Sequence, residues 1–472
     1  MVATDVCRCF LLSSFPSCVC EKYYEGDRQK LPHQACVCPP SVLTSSDHTR
    51  ERFSPRLRVV ARTSSIHVDL QCVMRHALLF APILSCALGS FAGVARREKM
   101  SFAHQLQKTY SAEDLLLIAA QQPKPTPQDA VRFLQRLMQL IPKGPSYEAQ
   151  AIKIRQDVRL SEFLSCLAVD RLSAEELATL IWSSAVIQRP LRRSEVPKED
   201  LLAAVDAAAE QLEVHRAAEL QWAWESIGRD VALAARSRAT WPAAPARLVE
   251  RTAALPFAVH VGAMDTSLLS LESLLAEASP QRDVIKSGSA TPSKETLAET
   301  RLTAWQSEAG VSFTYSGKAM PPRVGDELRA GLSPTIASIR GTLADKPIER
   351  WYDSVLVNYY EGGKVGMRFH SDPGQGDEGP WGYSTCVVSA GDCRQFTFRR
   401  IGDPSQRCTF ALRGGDVVEM FGSCQQLYQH SVKTEASDEA AGPRISLVFK
   451  RTQEAEAESR ARGERPEGRH GQ

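Results

Sequence analysis

The spacing of hydrophobic residues along the chain changes near residue 300. Between residues 101 and 290 apolar side chains recur at helical spacing, whereas from residue 301 they alternate with polar ones in short segments. The first pattern is typical of amphipathic helices and the second of strands with one buried face. The sequence therefore predicts an α+β multidomain protein, with an all-α region at 101–290 followed by a β domain at 301–452.

Seven helical segments are predicted in the first region, and two of them begin with a clear capping signal. Ser111 and Ser173 each precede an apolar helical pattern, and a serine at this position accepts a hydrogen bond from a free backbone N–H. The segments are 111–118, 127–141, 159–169, 173–188, 199–213, 215–235 and 266–278.

Two similar dipeptides lie in this region, Trp182-Ser183 and Trp222-Ala223, 40 residues apart. The spacing resembles the helix-pair repeats of organellar RNA-binding solenoids, for which at least three units are expected. Since the similarity rests on few positions, the favoured interpretation is an ordinary helical domain whose tryptophans lie in the core.

Seven strand segments are predicted after residue 301, separated by Gly, Pro and Asp. Many short strands with turn residues between them indicate an antiparallel sandwich or jelly roll. The segments are Val311–Tyr315, Ser354–Tyr360, Thr385–Ser389, Gln395–Arg399, Cys408–Leu412, Asp416–Phe421 and Arg444–Lys450.

The segments outside these two regions show no sustained periodicity. Residues 1–100 form a disordered or targeting-like extension, with an uncharged apolar stretch at 77–95. That stretch has the length of a membrane span, but it also fits a signal-like segment or sequence upstream of a start at Met100. A proline and two glycines weaken a packed span, so no membrane anchor is expected. Residues 279–300 are predicted to form an exposed linker and 453–472 a disordered tail.

Composition narrows the function without assigning it. The chain has 43% hydrophobic residues and a net charge of +2, so it can build a core but carries no global basic surface for nucleic acid. Eight of the 13 cysteines precede residue 100, where their C-x-C spacing differs from that of zinc sites and favours an unstructured or processed segment. Nothing later indicates a disulfide framework, so we expect an intracellular protein, with the nucleus and an organelle both open.

A His-x-Asp pair and a distant second histidine supply candidate metal ligands. His370 and Asp372 are two positions apart, so on a strand or its end both side chains leave the same face. His430 follows 58 residues after Asp372, which suits a strand on the opposite side of a barrel. The set has the form of the facial triad that binds Fe(II) and leaves positions open for a co-substrate and O₂. A surface coincidence would explain an isolated His-x-Asp, but the flanking strands argue against it.

Two predicted strands offer rows of polar side chains for a co-substrate. The last strand carries Arg444, Ser446 and Lys450 on one face and apolar residues on the other. A guanidinium group binds a carboxylate through two parallel hydrogen bonds. Asn358 and Tyr360 likewise share one face of an earlier strand and can hydrogen-bond the same ligand.

Short motifs in the second half of the chain follow one another in a characteristic order and spacing. They are Phe313-Thr314-Tyr315-Ser316-Gly317, Asn358-x-Tyr360, Gly362-Gly363, His370-x-Asp372, Ser389-x-Gly391, Arg394-x-Phe396-x-Phe398-Arg399, Gly415-Asp416, Tyr428-x-His430 and Arg444-x-Ser446-Leu447-x-Phe449. On these motifs the segment from about Arg301 to Arg451 resembles the AlkB family of Fe(II)/2-oxoglutarate dioxygenases, close to the branch of the eukaryotic nucleic-acid demethylases.

The resemblance implies a fold, a set of site residues and a reaction. The fold is a double-stranded β-helix, or jelly roll, with His370, Asp372 and His430 as iron ligands. The residues implied for 2-oxoglutarate are Asn358, Tyr360, Arg444, Ser446 and Lys450, and those implied for the substrate pocket are Phe313 and Tyr315. The reaction uses Fe(II), 2-oxoglutarate and O₂, yields succinate and hydroxylates a substrate C–H; an N-methyl group is then lost as formaldehyde. Tyr315 could stack on a flipped base, and core packing is the alternative for both aromatic residues.

Two positions depart from the family pattern. The last strand usually carries a second arginine six residues after the first, and this chain has Lys450 there, which keeps the charge but loses the planar fork. Nucleobase demethylases often carry an acidic residue two positions after the iron aspartate, where this chain has Gly374. Asp377 or Glu378 could substitute for it. The first departure predicts that the co-substrate is bound either more weakly or in a different arrangement. The second weakens the case for repair of alkylated bases.

The function favoured by the sequence is oxidative demethylation of alkylated DNA or RNA by an Fe(II)/2-oxoglutarate dioxygenase, an oxidoreductase active in DNA repair. The same chemistry on a methylated protein or another substrate is one alternative. The other is a helical RNA-binding protein with a relic oxygenase domain, which the intact triad disfavours. Since no stable partner chain is indicated, we expect a monomer.

Overall fold

The computed structural model describes residues 101–234, 241–286, 296–344, 352–373, 380–455 and 457. Three predicted features lie outside these ranges: the extension 1–100 with its apolar stretch 77–95, the loop that carries Gly374, Asp377 and Glu378, and the tail from residue 458. All of the described residues belong to one compact unit, Ser90–Gln472. None of the helices in these ranges has both the length and the apolar character needed to cross a membrane.

Serine and threonine side chains cap the helices that the periodicity predicts. Ser111 accepts a hydrogen bond from the Asp114 backbone N–H, and Thr126 and Ser173 each form a reciprocal capping box with the acidic residue three positions later. The helices are α1 (Phe102–Gln107), α2 (Ala112–Ala120), α3 (Pro127–Leu140), α4 (Glu148–Gln156), α5 (Val158–Leu164), α6 (Ala174–Val186), α7 (Lys198–Ala209), α8 (Val214–Ala234), α9 (Ala246–Thr252), α10 (Leu271–Ala278), α11 (Pro334–Ala344) and α12 (Cys424–Leu427). All seven predicted segments contain a helix.

The strands form two main antiparallel sheets. They are β1 (Phe257–His260), β2 (Val284–Lys286), β3 (Thr296–Ala298), β4 (Leu302–Ser307), β5 (Phe313–Tyr315), β6 (Lys318–Met320), β7 (Arg323–Val324), β8 (Glu327–Leu328), β9 (Ser354–Tyr360), β10 (Met367–His370), β11 (Trp381–Gly391), β12 (Arg394–Arg400), β13 (Asp403–Leu412), β14 (Val417–Met420), β15 (Tyr428–Val432) and β16 (Arg444–Thr452). The larger sheet has the order β1-β14-β11-β16-β9-β4, and the smaller sheet has the order β10-β15-β12-β13. Each of the seven predicted strand segments contains a strand.

The two sheets pack face to face, as in a jelly roll. Phe396 and Phe398 of the smaller sheet and Leu356 and Val448 of the larger sheet lie in one hydrophobic cluster. Burial of apolar side chains from both inner faces stabilises this arrangement. The site described below lies in the space between these faces.

The central strand β16 has both faces buried. Ile445, Leu447 and Phe449 pack in a second cluster that contains residues of α10 and α11. Val448 points the opposite way, into the cluster between the sheets. The predicted alternation along this strand is therefore confirmed, and the helices explain why the outer row is apolar.

Helices α6 and α8 lie against β13. Trp222 of α8 is buried with its ring centroid 6.2 Å from that of Phe410, and Trp182 of α6 donates its indole N–H to the Thr409 carbonyl. Arg413, just after β13, forms an ion pair of 2.5 Å with Asp230 of α8. These tryptophans thus join a helical layer to the sheet, as expected of an ordinary helical region and not of a repeat.

The prediction of an all-α region up to residue 290 does not hold at two places. Phe257–His260 is β1, an edge strand that pairs with β14, and residues 284–286 pair with 296–298 inside the segment predicted to be a linker. Strands of three or four residues are too short to show a period in the sequence. Their conformation is set instead by pairing with distant partners.

Candidate active site

A cavity of about 440 Å³ lies between the two sheets, and most of the predicted site residues line it. Those that line it are His370, Asp372, His430, Asn358, Tyr360, Ser446, Phe313 and Tyr315. Arg444 and Lys450 are not among the lining side chains. The structure therefore brings eight of the ten predicted residues to one cavity wall.

Adjacent strands bring the three candidate metal ligands together. His370 of β10 is the cross-strand partner of His430 on β15, and their ring centroids lie 4.3 Å apart. Asp372 Oδ1 lies 3.5 Å from His370 Nε2 and 3.8 Å from His430 Nε2. One ligand atom from each residue lies within 4.8 Å of the others, so one metal ion can reach all three.

The position of His430 differs from the expected one. The sequence separation suggested the opposite side of a barrel, but β15 is the immediate neighbour of β10 in the smaller sheet. The winding of a jelly roll returns the chain to the same sheet after it has crossed the other sheet. His370 and His430 are therefore neighbours in the fold although they are far apart in the sequence.

Two features of the cluster fit a divalent metal ion such as Fe(II). Asp372 Oδ2 is buried and has no hydrogen-bond partner among the described residues, and a buried charged oxygen needs such a partner or a metal. Burial lowers the pKa of His430 to about 3, so its imidazole is neutral at physiological pH and can offer a lone pair. Two nitrogen donors and one carboxylate oxygen form the ligand set of the non-haem iron oxygenases.

The carboxyl group of Asp372 is held in its ionised form. Burial alone raises its pKa, but the charge of Lys450 leads the effects that lower it, and the net pKa lies well below the usual range. An ionised carboxylate is the form that a metal ion binds.

Neighbouring groups orient each of the three ligands. His370 Nδ1 lies 2.9 Å from the Arg368 carbonyl, which can only accept, so Nδ1 is the donor and Nε2 is left for a metal. The ring of Phe396 stacks on His430 at 5.3 Å between centroids and an interplanar angle of 11°. Gln425 Oε1 accepts a hydrogen bond of 2.8 Å from the Asp372 backbone N–H. Gln425 could not be predicted from a local motif, because it lies on the short helix α12, 53 residues beyond its partner.

The Gln425→Ala variant is expected to bind Fe(II) about tenfold more weakly than the wild type, because partners that orient metal ligands contribute on the order of 10–100-fold to metal affinity. Removing the amide frees the Asp372 backbone that it now fixes. Titration of the apo protein with Co(II), followed by its absorption bands, measures the change.

Gln426→Ala on the same helix is the matched control, since Gln426 is exposed and Gln425 is buried. Equal Co(II) affinities for the two variants would contradict the orienting role.

Arg444 meets the requirements for binding a carboxylate ligand. Its side chain is fully buried, and its Nη atoms donate to the hydroxyls of Ser446 and Ser389. Its Nε has no hydrogen-bond partner, and no carboxylate lies within 4.0 Å of it among the described residues. The guanidinium carbon also lies 5.5 Å from the centroid of the Tyr360 ring. A buried guanidinium group that has no anionic partner among the described residues favours a ligand that supplies the missing negative charge. Ser446 lines the cavity, so Arg444 lies directly behind its wall.

Asn358 is fixed by a cation that sequence reasoning missed. Its Oδ1 accepts a hydrogen bond of 2.8 Å from Arg301 Nε, which leaves the amide NH₂ as a donor for a ligand. Arg301 also lines the cavity and forms an ion pair of 3.2 Å with the buried Glu299. The contact between Arg301 and Asn358 spans 57 residues and therefore has no local signature in the sequence.

Lys450 lies apart from the other predicted co-substrate residues. It is 1% exposed, and its Nζ donates a hydrogen bond of 3.1 Å to Thr385 Oγ1 on the neighbouring strand. Its charge acts on Asp372, but its side chain does not line the cavity. A direct role in co-substrate binding stays a prediction.

Phe313 and Tyr315 both line the cavity and both pack against the protein. Phe313 is buried and stacks on Trp305 at 4.8 Å between ring centroids. Tyr315 is partly exposed and donates from its hydroxyl to Glu299 Oε1 at 2.6 Å. The two interpretations, a substrate wall and core packing, are therefore compatible at these positions.

Comparison with known proteins matches this chain to a sequence family, a viral protein and a solved structure. A sequence model of the 2OG-Fe(II) oxygenase superfamily matches residues 202–450, a range that begins within α7 and takes in α8, α9 and both sheets. A region of 180 residues is 31% identical to the uncharacterized protein R406 of Acanthamoeba polyphaga mimivirus, with 38% of this chain and 84% of that protein covered. A solved structure described as "The structure of OsALKBH1" is similar at 15% identity and a TM-score of 0.27, over 42% of this chain and 96% of that chain. A TM-score this low carries no structural argument.

Proposed function

Because this chain belongs to the 2OG-Fe(II) oxygenase superfamily, whose match covers more than half of it, we propose that it is an AlkB-like enzyme that demethylates nucleic acid by oxidation. The chain is a 2-oxoglutarate-dependent dioxygenase that requires Fe(II), 2-oxoglutarate and O₂. The proposal concerns the substrate and the residues that bind it.

The cavity is the observation that carries this proposal. It places the candidate iron ligands and the aromatic residues Phe313 and Tyr315 on the walls of one space of about 440 Å³. This volume lies within the range of small-molecule sites, roughly 300–1,000 Å³, and suits a single nucleobase. A base turned out of its stack could lie against Tyr315 with its methyl group toward the metal.

In the proposed reaction, separate residues bind the metal ion and the co-substrate. When bound, Fe(II) supplies the oxidation in which O₂ converts 2-oxoglutarate to succinate and CO₂ and places one oxygen atom in a substrate C–H bond. His370, Asp372 and His430 would hold the ion on one face. Arg444 would pair with a carboxylate of the co-substrate, and Asn358 would donate a hydrogen bond to it.

The remaining walls keep water out and orient the substrate. Leu356, Val387 and Val448 line the cavity as apolar residues of the larger sheet. Exclusion of water strengthens the polar contacts within the cavity. A methyl group on a ring nitrogen, once hydroxylated, leaves as formaldehyde and returns a hydrogen to the nitrogen. The net result is an unmodified base.

A turnover assay on the full chain tests the proposal. The protein would be supplied with Fe(II), 2-oxoglutarate, O₂ and DNA or RNA oligonucleotides that contain 1-methyladenine. The expected result is loss of the methyl group, seen by mass spectrometry, with succinate and formaldehyde formed in equal amounts.

A methyl-lysine peptide is the comparison substrate in the same assay. Succinate formation with no demethylation of either oligonucleotide would overturn the nucleic-acid proposal. Demethylation of the peptide instead would establish the protein-directed alternative.

A further inference from the structure

A groove of about 1240 Å³ follows the outer face of the smaller sheet, away from the space between the sheets. Its floor includes Gln395 and Thr397 of β12, which alternate along that strand with the inward-facing Phe396 and Phe398. Helices α3, α6 and α8 supply the opposite wall, with Trp182 of α6 partly exposed in it. None of the residues assigned above to iron or 2-oxoglutarate lines this groove.

Four exposed cations line the groove, and the side chain of none of them forms an ion pair with a described residue. They are Lys364, Arg368, Arg407 and Lys433. No carboxylate lies within 4.0 Å of the charged side-chain nitrogen atoms of any of the four in the part of the chain that the structure describes. At the backbone, the Lys364 N–H donates a hydrogen bond of 3.1 Å to Asp438 Oδ1. The whole chain is nearly neutral, with a net charge of +2. A local cluster of four cations therefore favours an anionic ligand at this surface.

The acidic residues that line the groove are mostly occupied elsewhere. Glu219 pairs with Arg216 and accepts a hydrogen bond from the Thr409 backbone N–H. Asp403 accepts from the Ser405 backbone N–H and hydroxyl. Glu213 also lines the groove, and Asp403 keeps its charge, so five cations, with Arg216 included, face three acids and the lining has a net positive charge.

The strands connect this groove with the active-site cavity. On β15, His430 faces the cavity and Ser431 faces the groove, as does Lys433 directly after the strand. Met367 and Val432 line both spaces, so the two meet at the edge formed by β10 and β15. A polymer lying in the groove would therefore pass beside the metal site.

We propose that this groove binds single-stranded nucleic acid by its sugar-phosphate backbone, next to the nucleotide that enters the cavity. The inference deepens the proposed function and rests on it. Its chemistry matches the groove: cations neutralise phosphates, uncharged groups such as Thr397 and Ser431 hydrogen-bond phosphate and sugar, and Trp182 offers an aromatic surface. The space is bounded by sheet on one side and helices on the other, which suits one strand and not a double helix.

The distribution of the cations fits a chain of phosphates better than one anion. Lys433 follows Val432, which pairs with Phe396 near the start of β12, whereas Arg407 pairs with Arg399 near its end. Four strand residues span about 13 Å at roughly 3.3 Å per residue. A ligand that contacts both cations must therefore carry charge at more than one point.

A triple variant, Lys364→Gln, Arg407→Gln and Lys433→Gln, tests the groove in the full chain. Arg368 is left unchanged because it lies two positions before His370 on β10 and its carbonyl binds His370 Nδ1, so a substitution that shifts this strand would also shift a candidate ligand. Binding would be followed by the fluorescence anisotropy of labelled 15-nucleotide oligothymidylate and oligouridylate over a range of salt concentrations. We expect an affinity loss of about tenfold and a logarithmic salt slope shallower by about 2, since each phosphate contact with a single strand contributes about 0.7.

A second triple variant, Lys108→Gln, Lys124→Gln and Arg193→Gln, is the matched control. It removes the same charge from exposed residues that do not line the groove. Wild-type affinity is expected for this control, and both variants should retain the wild-type rate of succinate formation in the absence of oligonucleotide.

The outcomes distinguish nucleic-acid binding by the groove from demethylation in the active-site cavity. Equal oligonucleotide affinity of the two triple variants would overturn the proposal that the groove binds nucleic acid, even if the wild type demethylates 1-methyladenine. Loss of oligonucleotide affinity in the groove variant alone would support nucleic-acid binding by the groove, even if no methylated base is turned over. Groove-dependent binding of a labelled oligoglutamate peptide, with oligonucleotide binding unchanged, would assign the surface to an acidic protein and overturn the proposal.

Discussion

The Asp372→Ala variant is expected to lose 2-oxoglutarate-dependent succinate formation by at least about a hundredfold. A partner that only orients a ligand contributes on the order of 10–100-fold to metal affinity, so loss of a ligand should cost more. Asp372 Oδ1 lies within 3.8 Å of both histidine Nε2 atoms, and Oδ2 is buried without a partner among the described residues. No other carboxylate lines the cavity within the described ranges, so no described carboxylate can replace it.

Two measurements separate the loss of metal from the loss of fold. Co(II) titration reports metal affinity directly, and thermal unfolding of the apo protein reports stability. Asp326→Ala, at an exposed turn outside the cavity, is the control and should behave as the wild type in both. If alanine lowers apo stability because the charge of Lys450 loses its nearby carboxylate, Asp372→Asn keeps the shape and tests the ligand alone. Near-normal Co(II) affinity in a folded Asp372 variant would contradict the triad.

Local patterns in the sequence were sufficient to predict the elements that carry the site. The period of β16 placed Arg444 and Ser446 on one face, and the cross-strand register with β9 confirms that Ser446 lies opposite Asn358. Ser173 and its capping box fixed the start of α6. Such signals are readable because each depends on residues within a few positions of one another.

Contacts between distant segments could not be predicted in the same way. Arg301 holds Asn358 across 57 residues, and Gln425 holds Asp372 across 53. The pairing of His370 with His430 depends on a strand order that no local pattern encodes. Long-range pairing of this kind is set by the packing of the two sheets, and it determines how the ligands are oriented.

The residues that line the cavity limit the contacts by which a substrate could be recognised. The acidic residue often found two positions after the iron aspartate is Gly374 here, outside the described residues, and the described lining offers no carboxylate other than Asp372. Glu299 lies close by, but it is buried and bound to Tyr315, Lys318 and Arg301. Under the proposed function, recognition by the described residues would therefore depend on aromatic stacking and on hydrogen bonds from neutral groups and Arg301, with the groove cations holding the strand outside the cavity.

The Arg444→Met variant is expected to raise the KM for 2-oxoglutarate about a hundredfold without changing Co(II) affinity. Methionine fills much of the buried space but removes the guanidinium, whose hydrogen bonds to described residues go to two hydroxyls. Each charge-assisted hydrogen bond contributes roughly 1.5–3 kcal/mol, and a hundredfold change corresponds to about 2.7 kcal/mol. Arg444→Lys keeps a charge but not the fork, so its KM should lie between those of the wild type and Arg444→Met. Succinate formation as a function of 2-oxoglutarate concentration measures all three.

Ligand-induced stabilisation provides a readout that does not depend on turnover. At a 2-oxoglutarate concentration of about 100 times Kd, binding adds about 2.7 kcal/mol to the free energy of unfolding. We expect this increase for the Co(II)-loaded wild type under anaerobic conditions and for the exposed control Arg329→Met, but not for Arg444→Met. If Arg444→Met is stabilised as strongly as the wild type, the co-substrate carboxylate is bound elsewhere, and Lys450, the other buried cation of the same strand face, becomes the residue to test, because its charge already acts on the metal-binding carboxylate.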